Sequence, residues 1–103
     1  MQTPPLSRVV VIQNKQGLHA RPAEKFVRLA AQFDAKIELI KEGRRVSATS
    51  IIDLLTLGAA EGTQLTLEAE GPNAQAAIEA LADLVENVFP QEDNEHDQGQ
   101  GED

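Results

Sequence analysis

Residues 7–13, SRVVVIQ, set four β-branched side chains in succession from Val9 to Ile12, which predicts a buried strand. Beyond the turn NKQG the apolar period lengthens. From about Ala20 to Phe33, Ala23, Phe26, Val27, Ala30 and Ala31 recur at helical spacing, while Arg21, Glu24, Lys25, Arg28 and Gln32 fall mostly opposite, as in an amphipathic helix with one core face. AKIELIK (35–41) and RRVSA (44–48) then flank Glu42-Gly43, whose glycine can take positive φ, so the pair is expected to form a β-hairpin.

The next apolar run, SIIDLLTL (50–57), is short, but a helical wheel divides it. Ile51, Ile52 and Leu55 share one arc of about 100°, and Leu54 and Leu57 lie on an adjacent one. If one arc faces the core, the other leaves Ile51, Ile52 and Leu55 on the surface as a compact docking patch; alternatively, neighbouring elements cover both. Gly58 and Gly62 bracket a loop, and TQLTLEA (63–69) alternates Leu65, Leu67 and Ala69 inward as a fourth strand. Gly71-Pro72-Asn73 marks a turn and a helix cap. A last helix from about Ala74 to Phe89 carries Ala77, Ile78, Leu81, Leu84, Val85 and Val88 on one stripe, and Pro90 is expected to end it. The order β-α-β-β-α-β-α predicts an α+β, two-layer open-faced β-sandwich: a four-stranded, mainly antiparallel sheet with three helices on one face.

Length and composition limit what this domain can be. At 103 residues, 41% hydrophobic and 25% charged, the chain suits one domain over residues 7–89, with a short extension over 1–6. The net charge of −8 is mostly a property of residues 90–103, which hold six of the seventeen acids and no Lys or Arg, leaving the rest at −2. That segment is apolar-poor and is expected to be a disordered acidic tail, either a solubilising extension or an interaction segment. No basic surface is available for nucleic acid. No run approaches the roughly 20 apolar residues of a membrane span, and MQTPPLSR lacks the blocks of an export signal, so the expected location is the cytoplasm, away from membranes. The absence of cysteine excludes disulfides, thiolate metal sites and cysteine nucleophiles.

Candidate chemistry centres on His19. It stands at or just before the first turn of the first helix, with Pro22 among the early positions where a missing N–H is no loss. Unpaired backbone N–H groups and the positive end of the helix dipole converge there, favouring a phosphate. The same field disfavours imidazolium, leaving a neutral ring with a nucleophilic lone pair. Phosphorylation of that ring would set its oxygens against the N–H groups, and Arg21 could add charge-assisted hydrogen bonds. From the residue alone, a capping or surface role is the commoner one for a lone histidine at a helix start. A metal site has little support, since the other histidine, His96, lies in the acidic tail and no cysteine is present. Ser7, Ser47 and Ser50 lack the glycine pattern of a hydrolase nucleophile.

GLHARPA, residues 17–23, resembles the active-site signature of the histidine-containing phosphocarrier proteins, HPr, of the phosphoenolpyruvate-dependent phosphotransferase system. The resemblance extends from about Val9 to Val88 and includes SATSIIDLLTLG and GTQLTLEAEG. It implies a carrier rather than an enzyme, needing no cofactor and no metal. His19 would be phosphorylated on Nδ1 by enzyme I and would pass the group to a downstream phosphotransferase protein of the enzyme II A-type. Arg21 and the N–H groups near Gly17, Ala20 and Arg21 would hold the phosphoryl oxygens, and Ile51, Ile52 and Leu55 would match the family's docking surface. Ser50 would match a regulatory phosphorylation site, although Ser is also a good N-cap. Two departures weaken that last match: Thr49 replaces a frequent lysine, and Asp53 stands where relatives usually carry glycine or a basic residue, opposing a phosphoserine or an acidic partner.

The expected function is therefore a monomeric phosphocarrier in a sugar-uptake relay. A nitrogen-type regulatory relay, acting on a regulatory protein through contacts without moving sugar, is the alternative. An anion-binding regulatory domain of similar topology is a third.

Overall fold

The computed structural model describes residues 4–92. Its elements follow the expected order: β1 (Leu6–Val11), α1 (Ala20–Ala30), β2 (Lys36–Lys41), β3 (Arg44–Ser47), α2 (Ile51–Thr56), β4 (Gln64–Glu70) and α3 (Ala74–Asp83). The four strands form one antiparallel sheet in the order β1-β4-β2-β3. The two-residue connection between β2 and β3 has positive φ at both Glu42 (50°) and Gly43 (83°), the backbone that matches the twist of a tight hairpin.

All three helices lie against the face bearing Val10, Ile37, Leu39, Val46, Leu65, Leu67 and Ala69, and these side chains form the core with Phe26, Leu54 and Leu81. The other face is open, which corrects the reading of the first strand as buried. β1 is an edge strand in a one-sided sheet; Val10 is fully buried but its neighbour Val9 is 56% exposed, because consecutive residues point to opposite faces. On the open face Arg45 bridges Glu38 (2.8 Å) and Glu68 (2.5 Å), joining β3, β2 and β4. Hydrogen bonds to Glu38 and Glu68 raise the Arg45 guanidinium pKa above its ordinary value.

The C-terminal helix departs from expectation in two ways. It does not stop at Pro90. After Asp83 it widens into a π-helical turn, Leu84–Val88, in which Phe89 N–H reaches back five residues to the Leu84 carbonyl, and the chain remains helical through residue 92. A proline in a helix lacks the N–H and crowds the carbonyl four residues earlier, and changing the register of the preceding turn accommodates both. The wider turn also alters the stripe: Val85 and Phe89 are buried, whereas Val88, three residues after Val85, is only partly covered. The second departure concerns Asn73, which occupies the N-cap of α3 but makes no capping side-chain bond. Its Oδ1 accepts from Asp34 N–H and its N–H donates to the Asp34 carbonyl, both at 3.1 Å, tying the start of α3 to the end of the α1–β2 connection. The expected tail falls mostly on residues 93–103, with His96, outside the described residues.

Candidate functional site

α1 begins where β1 runs out. After Val11 the chain turns through Asn14–Gly17, closed by a Gly17 N–H bond to the Asn14 carbonyl (3.1 Å), and enters the helix at Ala20. His19 is the N-cap, half-buried and extended (φ −91°, ψ −169°), and its carbonyl accepts the Ala23 N–H at 3.0 Å to close the first helical turn. Its imidazole makes no capping bond, so the ring is not committed to holding the helix end. Ala20 and Arg21 are exposed; their N–H groups, at the first two helical positions, have no intrahelical acceptor. Pro22 is buried at the third position, where the missing N–H costs nothing. No acidic residue stands in the helix's own first turn, so none there offsets the positive end of the helix dipole.

Gly17 is the reason this turn has a defined place. Its φ is +72°, and a Cβ added there would lie 2.5 Å from the Ala59 carbonyl oxygen and 2.9 Å from Ala60 Cα. The next residue bonds the same carbonyl, Leu18 N–H to Ala59 O at 2.8 Å. The segment leading to His19 is thus pressed against the loop that follows α2. Gly17 is itself buried beneath the turn, so it acts as a spacer and does not present its N–H, already bonded to Asn14, to a ligand. Of the three residues expected to hold phosphoryl oxygens, Gly17 therefore has its N–H occupied, while Ala20 and Arg21 are exposed.

α2 packs beside α1 and decides between the wheel's two alternatives: Leu54 (0%) and Leu57 (4%) are buried, while Ile51 (37%), Ile52 (72%) and Leu55 (39%) are exposed. Six residues make a marginal helix, and both ends are held. Ser50 caps the start, its Oγ accepting Asp53 N–H at 3.2 Å. At the other end Arg44 donates to the Thr56 carbonyl and hydroxyl (both 2.8 Å), and Lys41 donates to the Leu57 carbonyl (2.9 Å), placing two cations of the hairpin where the helix dipole is negative. Sequence reading missed Lys41 and Arg44, whose residue type gave no sign of a partner more than ten positions away. It also read Asn14 only as part of a turn, although Asn at the first position of such a turn is a recognised signal.

A family model described as the PTS HPr component phosphorylation site matches residues 6–87. The phosphocarrier protein HPr of Cupriavidus necator is 42% identical over 84 residues, covering 82% of this chain and 94% of its own. Phosphocarrier protein NPr of Shewanella violacea is 43% identical over 84 residues, covering 82% and 92%. A crystal structure of HPr from Bacillus anthracis aligns with a TM-score of 0.78 at 38% identity, over 82% of this chain and 100% of that one. Sequence and fold agree over the same four-fifths of the molecule, and the protein belongs to the HPr family of phosphotransferase-system phosphocarriers.

Proposed function

We propose that His19 is the residue that carries the phosphoryl group, taking it from enzyme I and giving it to a downstream histidine on an enzyme II A-type protein. The observation that supports this best is a half-buried histidine at the N-cap of α1 whose ring has no capping duty and whose helix start holds no acid. Nδ1 is closer to the main chain than Nε2, so a phosphoryl group on Nδ1 lies toward the first helical N–H groups of Ala20 and Arg21. The Nδ1 lone pair attacks phosphorus, a new N–P bond forms as the donor N–P bond breaks, and the electron pair returns to the donor imidazole. The ring proton stays on Nε2. Arg21, one residue into the exposed turn, donates charge-assisted hydrogen bonds to the transferred oxygens. Positioning and charge stabilisation suffice for this transfer, with no cofactor or metal.

Ile51, Ile52 and Leu55 form the docking surface for both donor and acceptor, beside the helix that bears His19. The carrier works as a monomer in the cytoplasm. The similarity to an NPr protein and the acid Asp53 in the first turn of α2, next in sequence to Ile52, favour a second reading, a nitrogen-type relay to a regulatory protein. Ser50 serves α2 as its cap; as a regulatory phosphosite it would set a phosphate near Asp53, and a regulatory kinase that leaves Ser50 unlabelled in the folded protein removes that assignment.

Incubation with enzyme I and labelled phosphoenolpyruvate is the test. The expected product is an acid-labile, base-stable phosphate on His19, lost in a folded His19→Ala variant. Label that persists in that variant, or a wild-type chain that takes none, overturns the proposal.

A further inference from the structure

Asn14 is the one buried polar side chain among the described residues, 2% exposed. Its Nδ2 donates to the Gly17 carbonyl at 2.6 Å, while its backbone carbonyl accepts Gly17 N–H at 3.1 Å. Its Oδ1 is buried without a partner. At the first position of a turn, asparagine ordinarily directs Oδ1 to a backbone N–H two residues on. Here the carboxamide instead commits its donor end and leaves its acceptor unpaired, a cost of about 1–3 kcal/mol in a buried place. An arrangement of that cost draws attention to the bond it preserves.

The Gly17 carbonyl has a second donor: His19 N–H, at 3.1 Å. One oxygen therefore accepts from the Asn14 side chain and from the main chain of the histidine two residues on. On its other side the Gly17–Leu18 segment abuts Ala59. We propose that Asn14 is a positioning residue for phosphoryl transfer: through the Gly17 carbonyl it fixes the peptide leading into His19, and so the direction in which the imidazole leaves the helix cap. The inference rests on the reading of His19 as the carrier residue. Asn14 touches neither the phosphoryl group nor a partner. Without its donor, the Gly17 carbonyl keeps only the His19 bond and the peptide can tilt; displacements of a fraction of an ångström at a nucleophile slow an in-line transfer severalfold to a hundredfold.

Asn14→Leu tests this, because leucine has similar size and removes both the positioning donor and the unpaired acceptor. Single-turnover transfer from phosphorylated enzyme I is expected to show a maximal rate lower by roughly tenfold or more, with the half-saturating concentration unchanged within about twofold, since the docking patch is untouched. A melting temperature equal to or above wild type beside that rate loss separates positioning from bulk stability. A variant that transfers at the wild-type rate, or one that changes only the half-saturating concentration, overturns the inference. A measurement on the wild-type chain decides the matter if Asn14→Leu fails to fold: the Asn14 side-chain NH2 resonances must shift on phosphorylation of His19, and resonances that stay fixed overturn the inference. A wild-type chain that takes no phosphoryl group points instead to failure of the carrier reading itself.

Discussion

Substituting Gly17 by alanine separates two costs that usually come together. Gly17 has φ +72° and its Cβ direction is blocked by backbone, 2.5 Å to Ala59 O and 2.9 Å to Ala60 Cα. Gly43 has a similar φ of +83° but nothing within 4 Å of the added carbon. Gly43→Ala therefore measures the conformational cost alone, about 1–2 kcal/mol. Gly17→Ala carries that cost and must also move two backbone segments apart, which breaks the Leu18 N–H bond to Ala59 at a further cost of about 1 kcal/mol or more. Neither blocking atom belongs to a flexible side chain that could swing away. A domain of this size loses roughly 4–8 °C of melting temperature per kcal/mol, so Gly17→Ala should melt at least about 5 °C below Gly43→Ala. The assay is circular-dichroism melting of both variants, followed by single-turnover transfer measured well below both midpoints. Gly43→Ala should transfer at the wild-type rate and Gly17→Ala should be slowed, because the displaced segment is the one that carries His19. Equal melting temperatures, or equal transfer rates, would refute the claim that contact with Ala59 places the histidine.

Four further outcomes are expected. Ile52→Glu, at a 72% exposed position, should change stability by no more than about 0.5 kcal/mol yet raise the half-saturating concentration in transfer from enzyme I about tenfold, read by melting and titration. Leu54→Ala, in the fully buried arc of the same helix, should instead cost about 2–5 kcal/mol by denaturant unfolding. Ser50→Ala removes the cap bond to Asp53 N–H and should cost about 1 kcal/mol, with faster amide exchange at Asp53 as the local readout. Pro90→Ala restores a helical N–H and is expected to raise stability by about 1 kcal/mol; a lower melting temperature would show that the π turn serves packing of Phe89 and not the proline.

How much of this was legible in the chain depends on the range of the interaction that decides each feature. The α1 stripe, the Glu42-Gly43 hairpin and the inward alternation of Leu65, Leu67 and Ala69 are set by neighbours a few residues apart, and they form as the pattern predicts. The division of α2 into two arcs is equally readable, although the wheel alone leaves open whether neighbours cover both, and the family resemblance is what points to Ile51, Ile52 and Leu55 as the exposed one. The exposure of Val9 is not visible in a local pattern because it follows from the place of β1 at the sheet edge over an open face, a property of the whole sheet. The passage of the helix through Pro90 was missed because a local rule for proline yields to a change of register and to the burial of Phe89. The site shows the same division. The proposed chemical groups lie within His19-Ala20-Arg21 and can be named from seven residues, but the contacts that hold the neighbouring segments are distant: Ala59 against Gly17, and Lys41 and Arg44 on the end of α2. A seven-residue motif transplanted without the loop after α2 would keep the imidazole and lose the surface that fixes where it points, and the Gly17 and Asn14 variants measure that difference.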